Sequence, residues 1–364
     1  MVKVEKDQIG GKEFLSIIVL LIGTKAGDMT TTLLYGKALN AAWMVVLGSF
    51  LVMLPALVIL NHVLGKFQQK NLMEIIYLTF GKYVGFLIGF GLFSIVLFAT
   101  AIDTRSYSDQ LITMNFPKTP LFALYGIFLV ISFYLAKKGW ESIGSVAWMI
   151  IPYIIIVMIL LGFLLFAQGE VKRIFPLFGP GKIELAKISF SYTSIYGEAV
   201  ALAMVYPLVK SRGVYTKGIL LSLSMTVMGM ALFYCLYSLV FDYRSIDKIT
   251  YPFNEATRFV SLGSSIKNIE TLYLTFWLLG IFIKFSIYLY VLSKIFGSLF
   301  GIGEFEQTIF PLTILVLLIG MMPENQIENV FVLRDKMLIY SKYFFLTLPP
   351  LLWLTIKVKE VMKR

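Results

Sequence analysis

The chain has 364 residues, of which 58% are hydrophobic and 15% are charged, and its mean hydropathy is +0.83. These values exclude the soluble globular class, because membrane spans of about 20 apolar residues each must account for most of the chain. The formal net charge is +11, but the basic residues are dispersed among loops between apolar runs. That distribution suits anionic lipid headgroups better than nucleic acid.

Apolar runs of membrane-helix length follow one another along the whole chain. The N-terminal "MVKVEKDQIGGKEF" mixes acidic and basic residues without an A-x-A-like cleavage site, so we expect the first span to be retained. Only helices satisfy every backbone group in hydrocarbon, so we predict an all-α polytopic membrane protein forming one transmembrane domain over 1–364. The ten predicted spans are 13–35, 41–62, 84–103, 119–136, 144–168, 188–209, 214–241, 270–295, 307–322 and 335–356.

The loops suggest an orientation for these spans. Ten spans place both termini on one side of the membrane. The short basic loops "AKKGWE" (136–141) and "KSRGVYTK" (210–217) indicate that this side is cytoplasmic. Of the longer loops, "IFPLFGPGKIELAK" (174–187) is rich in turn residues, and 242–265 carries too many charges to span. Within that second loop, 254–262 is predicted to form a short helix across the outer mouth.

The first span has a polar interruption, "LIGTKAGDMT" (21–30), with two glycines and two opposite charges. A charge at the bilayer centre costs at least about 2.5–3.5 kcal/mol, so Lys25 and Asp28 should not face lipid. Glycines make unwinding cheap, and a broken helix exposes backbone groups that can hold a ligand. This pattern predicts a discontinuous helix that lines a polar cavity.

The sixth span carries a matching interruption. In "ISFSYTSIYGEAVALAMVYPLV" (188–209), a polar half ends in Gly197 and Glu198, and an apolar half follows. Such a pair points to an inverted-repeat transporter fold with its site at the membrane midplane, here with repeats over about 13–168 and 188–356. The candidate ligand-binding residues are Gly23, Thr24, Lys25, Ala26, Gly27, Asp28, Tyr192, Tyr196, Gly197, Glu198 and Lys284.

Simpler interpretations exist for several of these residues. Lys25 and Asp28 could form a structural i,i+3 ion pair, and both Asp28 and Glu198 could serve only as caps of the second half-helices. Lys25 could also balance the acids, or act as a fixed cation where relatives bind sodium. Lys284, near Ser286 and Tyr288, could reach the same cavity or pair near a helix end. His62 is expected to be interfacial.

At these motifs the chain resembles a known family. The "FPLFGPG" loop (175–181) and "YGEAVALAMVYPLVK" (196–210), together with ten spans, are similar to the B subunit of bacterial spore germinant receptors. The resemblance implies the amino acid–polyamine–organocation superfamily and its five-plus-five inverted repeat (LeuT-type), with the acid of the sixth span at Glu198. Helix one departs from the superfamily, whose members commonly have small neutral residues at this break.

The resemblance also implies a function. We expect a subunit in the inner membrane of a bacterial endospore that binds a small nutrient, in many relatives an amino acid, and acts with a membrane-embedded A subunit and a lipoprotein C subunit. The alternative is a proton- or cation-coupled amino acid permease, and a scaffold is a third interpretation. An enzyme is disfavoured, because the sequence has one histidine, one cysteine (Cys235, expected in the core) and no metal-ligand cluster. No cofactor or metal is predicted.

Overall fold

The structure is a computed structural model that describes residues 8–243, 245–263 and 269–362. These residues are mainly helical and contain no β-strand beyond an isolated bridge between Ile9 and Val209. The predicted all-α class is therefore confirmed. The α-helices are α1 (Gly11–Gly23), α2 (Met29–Ala38), α3 (Ala42–Lys66), α4 (Leu72–Met114), α5 (Leu121–Lys137), α6 (Trp140–Gln168), α7 (Lys182–Ser191), α8 (Gly197–Ala201), α9 (Arg212–Lys217), α10 (Leu223–Val240), α11 (Pro252–Gly263), α12 (Ile269–Phe300), α13 (Ile309–Gly320) and α14 (Asp335–Met362).

The first span is broken at the predicted interruption. Helix α1 ends at Gly23, a 3-10 turn covers Thr24–Ala26, and α2 begins only at Met29. Asp28 has an extended backbone, and its carboxylate accepts a hydrogen bond of 2.7 Å from the Thr30 amide. Asp28 is therefore the N-cap of the second half-helix, in agreement with one of the three roles predicted for it.

The sixth span is broken as well. Helix α7 ends at Ser191, a 3-10 segment covers Thr193–Tyr196, and after the short α8 the chain continues as a 3-10 segment over Leu202–Leu208. The two halves, Lys182–Ser191 and Thr193–Leu208, are bent by 46° relative to each other. Both predicted discontinuities are thus present.

Several helices are long and apolar enough to cross a membrane. Among the residues that the structure describes, six helices pass on length and composition, and the bent pair of the sixth span raises the number to seven. The six are Met29–Lys66, Leu72–Met114, Trp140–Gln168, Arg212–Val240, Glu270–Phe300 and Glu328–Met362. Leu121–Lys137 and Phe305–Gly320 are shorter apolar helices. The number of ten spans stays a prediction.

Helix α4 extends well beyond the predicted span, which covered 84–103. It runs from Leu72 to Met114 with a non-helical Gly81 (φ 77°), and every residue from Thr100 to Gln110 is buried. This polar stretch is enclosed by protein, since α4 packs against α5, α12, α13 and α14. The predicted span ended too early because hydropathy detects only residues suited to lipid. The helix itself continues into a polar stretch that is surrounded by protein.

The break in the first span lies inside the bundle. Helix α1 packs against α6, α10 and α12, while α12 also contacts α4, α5 and α6. Helix α3 packs against α7, α10 and α14. The loop helix predicted at 254–262 is present as α11 and packs against α6, α10 and α12. These contacts surround the unwound segment with protein, so its polar groups can be satisfied without lipid contact.

Candidate functional site

Charged side chains from five parts of the chain meet between the two helix breaks. Three are cationic and three are carboxylates, so the cluster is formally neutral when all are ionised. Each is buried or nearly so, with side-chain exposures from 0% to 15%. The members are Lys25, Asp28, Asp103, Glu198, Lys284 and Arg334, with Tyr107 and Tyr288 between them.

One ion pair joins the two breaks directly. The Lys25 ammonium donates hydrogen bonds to the Ile195 carbonyl and to one carboxylate oxygen of Glu198. The Tyr288 hydroxyl donates to the other Glu198 oxygen. Lys25 thus pairs with helix six and not with Asp28, which excludes the i,i+3 pair as the explanation of the two charges in helix one. Glu198 binds these side chains and does not serve as an N-cap.

A second set of contacts surrounds Asp28. Its Oδ2 lies 2.7 Å from Arg334 Nη2 and 3.7 Å from Lys284 Nζ, and the Tyr107 hydroxyl donates to it at 3.2 Å. Arg334 Nη2 also donates to the Thr30 hydroxyl at 3.0 Å. The acid that caps α2 is therefore held by cations from α12 and from the π-helical turn Glu328–Arg334 that precedes α14.

Asp103 connects the two sets. Its Oδ2 lies 3.6 Å from Lys284 Nζ and accepts from the Tyr288 hydroxyl at 3.4 Å, and its Oδ1 lies 3.4 Å from Arg334 Nη2. Because buried charges are costly unless they are paired, this continuous arrangement explains how the bundle tolerates so many ionisable groups.

A small cavity of about 50 Å³ opens beside this cluster. Its polar lining includes Lys25, Asp103, Glu198, Tyr288 and Arg334, while its apolar lining comes from α1, α4, α12 and α14. This volume has room for about three to five water-sized groups. Arg334 Nε and Nη1 are buried without a hydrogen-bond partner among the described residues. The guanidinium can therefore donate further hydrogen bonds to an acceptor at this site.

The structure brings only some of the predicted site residues to this cavity. Lys25 and Glu198 line it, while Asp28 and Lys284 belong to the charged cluster beside it. The other residues nominated in the helix-one break, Gly23, Thr24, Ala26 and Gly27, line a second, apolar cavity on the opposite side.

Two predicted tyrosines point elsewhere. The Tyr192 hydroxyl donates to the Asp335 carboxylate, and the Tyr196 hydroxyl donates to the Val46 carbonyl at 2.8 Å. Both rings are fully buried, so these two tyrosines stabilise the break by packing against protein. Gly197 is close to the Phe345 ring, since a Cβ atom added there would lie 2.3 Å from Phe345 Cε2. It allows helix six to approach α14.

Sequence reasoning missed Asp103, Tyr107 and Arg334 and mentioned Tyr288 only as a neighbour of Lys284. Asp103 is the last residue of a predicted span, and Arg334 directly precedes another. Both are charged residues at the edge of an apolar run, and a search for charges at the ends of the predicted spans could have nominated them as candidates.

No metal site accompanies this cluster in the part of the chain that the structure describes. Its residues contain no group of three or more His, Cys, Asp or Glu side chains that could hold a metal ion. In the observed arrangement, cationic side chains from three different elements occupy the positions around the three carboxylates.

Comparisons with known proteins agree on one family. The family model described as "Spore germination protein" matches residues 13–329. The putative spore germination protein YfkT of Bacillus subtilis (strain 168) is 24% identical over 197 residues, 54% of this chain and 53% of that protein. Spore germination protein KB of the same organism is 20% identical over 224 residues, 59% of each chain. The matched regions thus span only a little more than half the length of these curated relatives.

Solved transporters share the fold. MHP1, a nucleobase-cation-symport-1 family transporter with bromovinylhydantoin bound, superposes with a TM-score of 0.65 at 13% identity, covering 88% of this chain and 73% of MHP1. MhsT in complex with L-phenylalanine superposes with a TM-score of 0.66 at 12% identity, covering 93% of this chain and 87% of MhsT. These likenesses establish a LeuT-type transporter architecture and not an enzyme fold. The family match over most of the chain, on this architecture with both helix breaks in place, shows that the chain belongs to the spore germination protein family.

Proposed function

We propose that the protein is the nutrient-sensing membrane subunit of a spore germination receptor. The ligand is a small molecule, most simply an amino acid, bound in the cavity between the breaks of helices one and six. One observation carries the proposal: the cavity is walled by charged groups from both breaks, and one of its lining residues, Arg334, has two buried donors without a partner among the described residues. The site includes the nominated Lys25, Asp28, Glu198 and Lys284, together with Asp103, Tyr288 and Arg334.

The chemistry of the cavity suits a zwitterion. Arg334 Nε and Nη1 can donate to a carboxylate, while Asp103 and Glu198 can accept from an ammonium group. The ligand would then replace contacts that the cluster now makes internally. Because the formal charge of the cluster is balanced, a neutral zwitterion enters without adding net charge to a buried site.

The small size of the cavity supports a sensing role. A volume of about 50 Å³ holds only a few heavy atoms, so most amino acids require the bundle to open further. A ligand that binds the open arrangement better than the closed one shifts the conformational equilibrium. Partner subunits, in our proposal the A subunit and the lipoprotein C subunit, would detect that shift in the inner membrane of a bacterial endospore.

A permease is the second candidate. The shared fold favours it, because MHP1 is a transporter and both MHP1 and MhsT bind a small molecule in the same architecture. Reconstituted liposomes separate the two functions. Sustained uptake of a labelled amino acid by the purified protein alone, driven by a proton or cation gradient, would contradict the sensor proposal.

Ligand binding tests the site itself. The proteinogenic amino acids are added singly to the purified protein, and the shift in its thermal unfolding midpoint is measured. We expect at least one amino acid to stabilise the wild type. In Glu198→Gln, the concentration needed for half the shift should rise about tenfold or more, as expected for the loss of a charged hydrogen bond. The double variant Lys25→Met/Glu198→Gln, which keeps the charges balanced, should lose the response in the same way.

An exposed acid provides the matched control. Glu184 pairs with Lys187 at the start of α7, and its side chain is 50% exposed. Glu184→Gln should leave the ligand response unchanged. Equal responses from Glu184→Gln and both Glu198 variants would remove the proposed site.

A further inference from the structure

A large apolar crevice lies on the other side of the helix-one break. It encloses about 710 Å³ between α1, α6, α10 and α12, with α11 at one end, and is far larger than the charged cavity. Its volume falls within the range of about 300–1,000 Å³ that is typical of small-molecule sites. Among the described residues that line it, none is charged.

The crevice opens toward the apolar surface of the bundle. At its mouth, Ile159 and Phe163 on α6 are 66% and 69% exposed, and Met225 and Leu232 on α10 are 62% and 58% exposed. A surface of this composition faces lipid in a membrane protein. A molecule dissolved in the bilayer can therefore reach the crevice without crossing water.

Two buried polar groups without partners belong to residues that line the crevice. Trp277 and Tyr273, one turn apart on α12, are 8% and 2% exposed, and both line it. The Trp277 indole N–H and the Tyr273 hydroxyl have no hydrogen-bond partner among the described residues. A buried donor without a partner costs about 1–3 kcal/mol, and the indole N–H can only donate. An occupant that supplies an acceptor removes this cost.

We propose that the crevice binds a neutral amphiphile from the bilayer, with a hydrocarbon chain and an uncharged hydrogen-bonding group such as a hydroxyl or an ester. The apolar walls bury the chain, and the uncharged polar group meets Trp277 and Tyr273. An ionised headgroup does not fit, because the lining residues that the structure describes offer no counter-charge. This site is separate from the charged cavity and does not depend on the proposed nutrient ligand.

The occupant would contact the same break that the charged cavity contacts from the other side. Gly27 lies against the Trp277 ring, because a Cβ atom added to it would be 2.9 Å from Trp277 Nε1. Thr24 and Ala26 line the crevice, whereas the intervening Lys25 side chain lines the charged cavity. Successive residues of the unwound segment thus line two different cavities, one apolar and one charged.

Photolabelling tests the proposal. The full-length protein is reconstituted in lipid nanodiscs with a diazirine analogue of dodecanol, irradiated, and digested for mass spectrometry. We expect labelled peptides from α6, α10 and α12 around the crevice. Unlabelled dodecanol should compete for this labelling at about threefold lower concentration than dodecane, since only the alcohol can accept from the indole N–H. Equal competition by the two compounds would mean non-specific filling by hydrocarbon and would overturn the proposal.

Variants test the two parts of the site separately. Trp277→Phe keeps an aromatic ring but removes the donor, so the preference for dodecanol over dodecane should decrease. Added to Trp277→Phe, the substitution Tyr273→Phe should decrease the preference for dodecanol further while leaving the apolar walls intact. An unchanged preference in both variants contradicts the assignment of the polar group.

Filling the crevice tests the location. A Cβ atom on Gly162 would make only ordinary contacts, 3.5 Å to Leu236 and 3.8 Å to Phe233, so Gly162→Phe should project into the crevice. Labelling of the crevice peptides should fall about fivefold or more, in line with loss of much of the buried apolar area. Gly126→Phe on α5, where no atom lies within 4 Å, is the matched control and should not reduce it. Equal labelling of the two variants would place the probe elsewhere.

Discussion

Lys25 and Glu198 come from different halves of the chain, yet each is the closest charged partner of the other. Removing one partner of a buried pair leaves an uncompensated charge and costs about 3–5 kcal/mol, whereas removing both is far less costly. We therefore expect Lys25→Met to lower the thermal unfolding midpoint of the detergent-solubilised protein clearly. Lys25→Met/Glu198→Gln should recover much of this loss.

The surface pair Lys187–Glu184 gives the comparison for that experiment. Its side chains are 69% and 50% exposed, and such pairs contribute about 0–1 kcal/mol. Lys187→Met should leave the midpoint nearly unchanged. Equal unfolding midpoints for Lys25→Met and Lys187→Met would show that charge balance does not govern the stability of the cluster. The same conclusion would follow if the double variant lost as much stability as the two single substitutions added together.

Gly27 permits close packing at the break. Its φ of −119° is accessible to other residues, so the requirement for glycine comes from space and not from backbone conformation. A Cβ atom would lie 2.9 Å from Trp277 Nε1 and 3.2 Å from Phe253 Cγ. Forcing an extra methyl group into such packing costs about 1–3 kcal/mol. Gly27→Ala should lower the unfolding midpoint, whereas Gly36→Ala, with no neighbouring atom within 4 Å, should not. Equal midpoints would contradict this steric explanation.

At the scale of elements, both helix breaks could be predicted because glycines and charges interrupt apolar runs within single segments. The pairing of those charges could not be predicted, because Asp103 and Arg334 are contributed by helices distant in the chain, and a sequence pattern within one helix does not show which distant helices meet. The direction of Tyr192 and Tyr196 was equally inaccessible. In a 3-10 segment neither the 3.6-residue period nor any other single-helix pattern tells which residues face the cavity.

Helix α11 is attached to the break of helix one by side-chain hydrogen bonds. Gln110 Nε2 donates to the Gly27 carbonyl at 3.0 Å and to Asn254 Oδ1 at 2.6 Å. The Thr32 hydroxyl donates to the Thr250 carbonyl at 2.6 Å, just before α11. These hydrogen bonds form a continuous chain of contacts between the break and α11, so we expect a change in one to affect the other.

Weakening this attachment should loosen α11 selectively. Asn254→Ala removes one hydrogen bond worth about 0.5–1.5 kcal/mol, so exchange of the α11 backbone amides should accelerate about two- to tenfold in hydrogen–deuterium exchange mass spectrometry. Glu255→Ala, on the same helix, removes only a long, exposed contact of 3.8 Å to Arg258 and is the control. Identical exchange in wild type and Asn254→Ala would show that other contacts hold α11.

At the scale of the whole molecule, contacts connect the segment around Ile9 with the last turns of α14. The Ile9 carbonyl accepts from the Lys210 amide at 3.1 Å. The Arg212 guanidinium lies against Gly65. The next residue, Lys66, forms an ion pair with Glu360 at 3.0 Å. This run of contacts links the N-terminal segment, two loops and the C-terminal helix. An even number of crossings is the arrangement that brings both of these segments to one face, and ten is one such number, which stays a prediction.

Site-directed labelling measures the sidedness that the basic loops predict. In a Cys235→Ser background, cysteines replace exposed lysines one at a time, and intact cells are treated with a membrane-impermeant maleimide. If ten spans begin in the cytoplasm, Lys118→Cys and Lys172→Cys are labelled from outside, because they follow the third and fifth spans. Lys12→Cys and Lys359→Cys should react only after the membrane is opened, since basic segments are retained on the cytoplasmic side. Labelling of just one terminus in intact cells would require an odd number of spans, and labelling of both would reverse the orientation while keeping the number even.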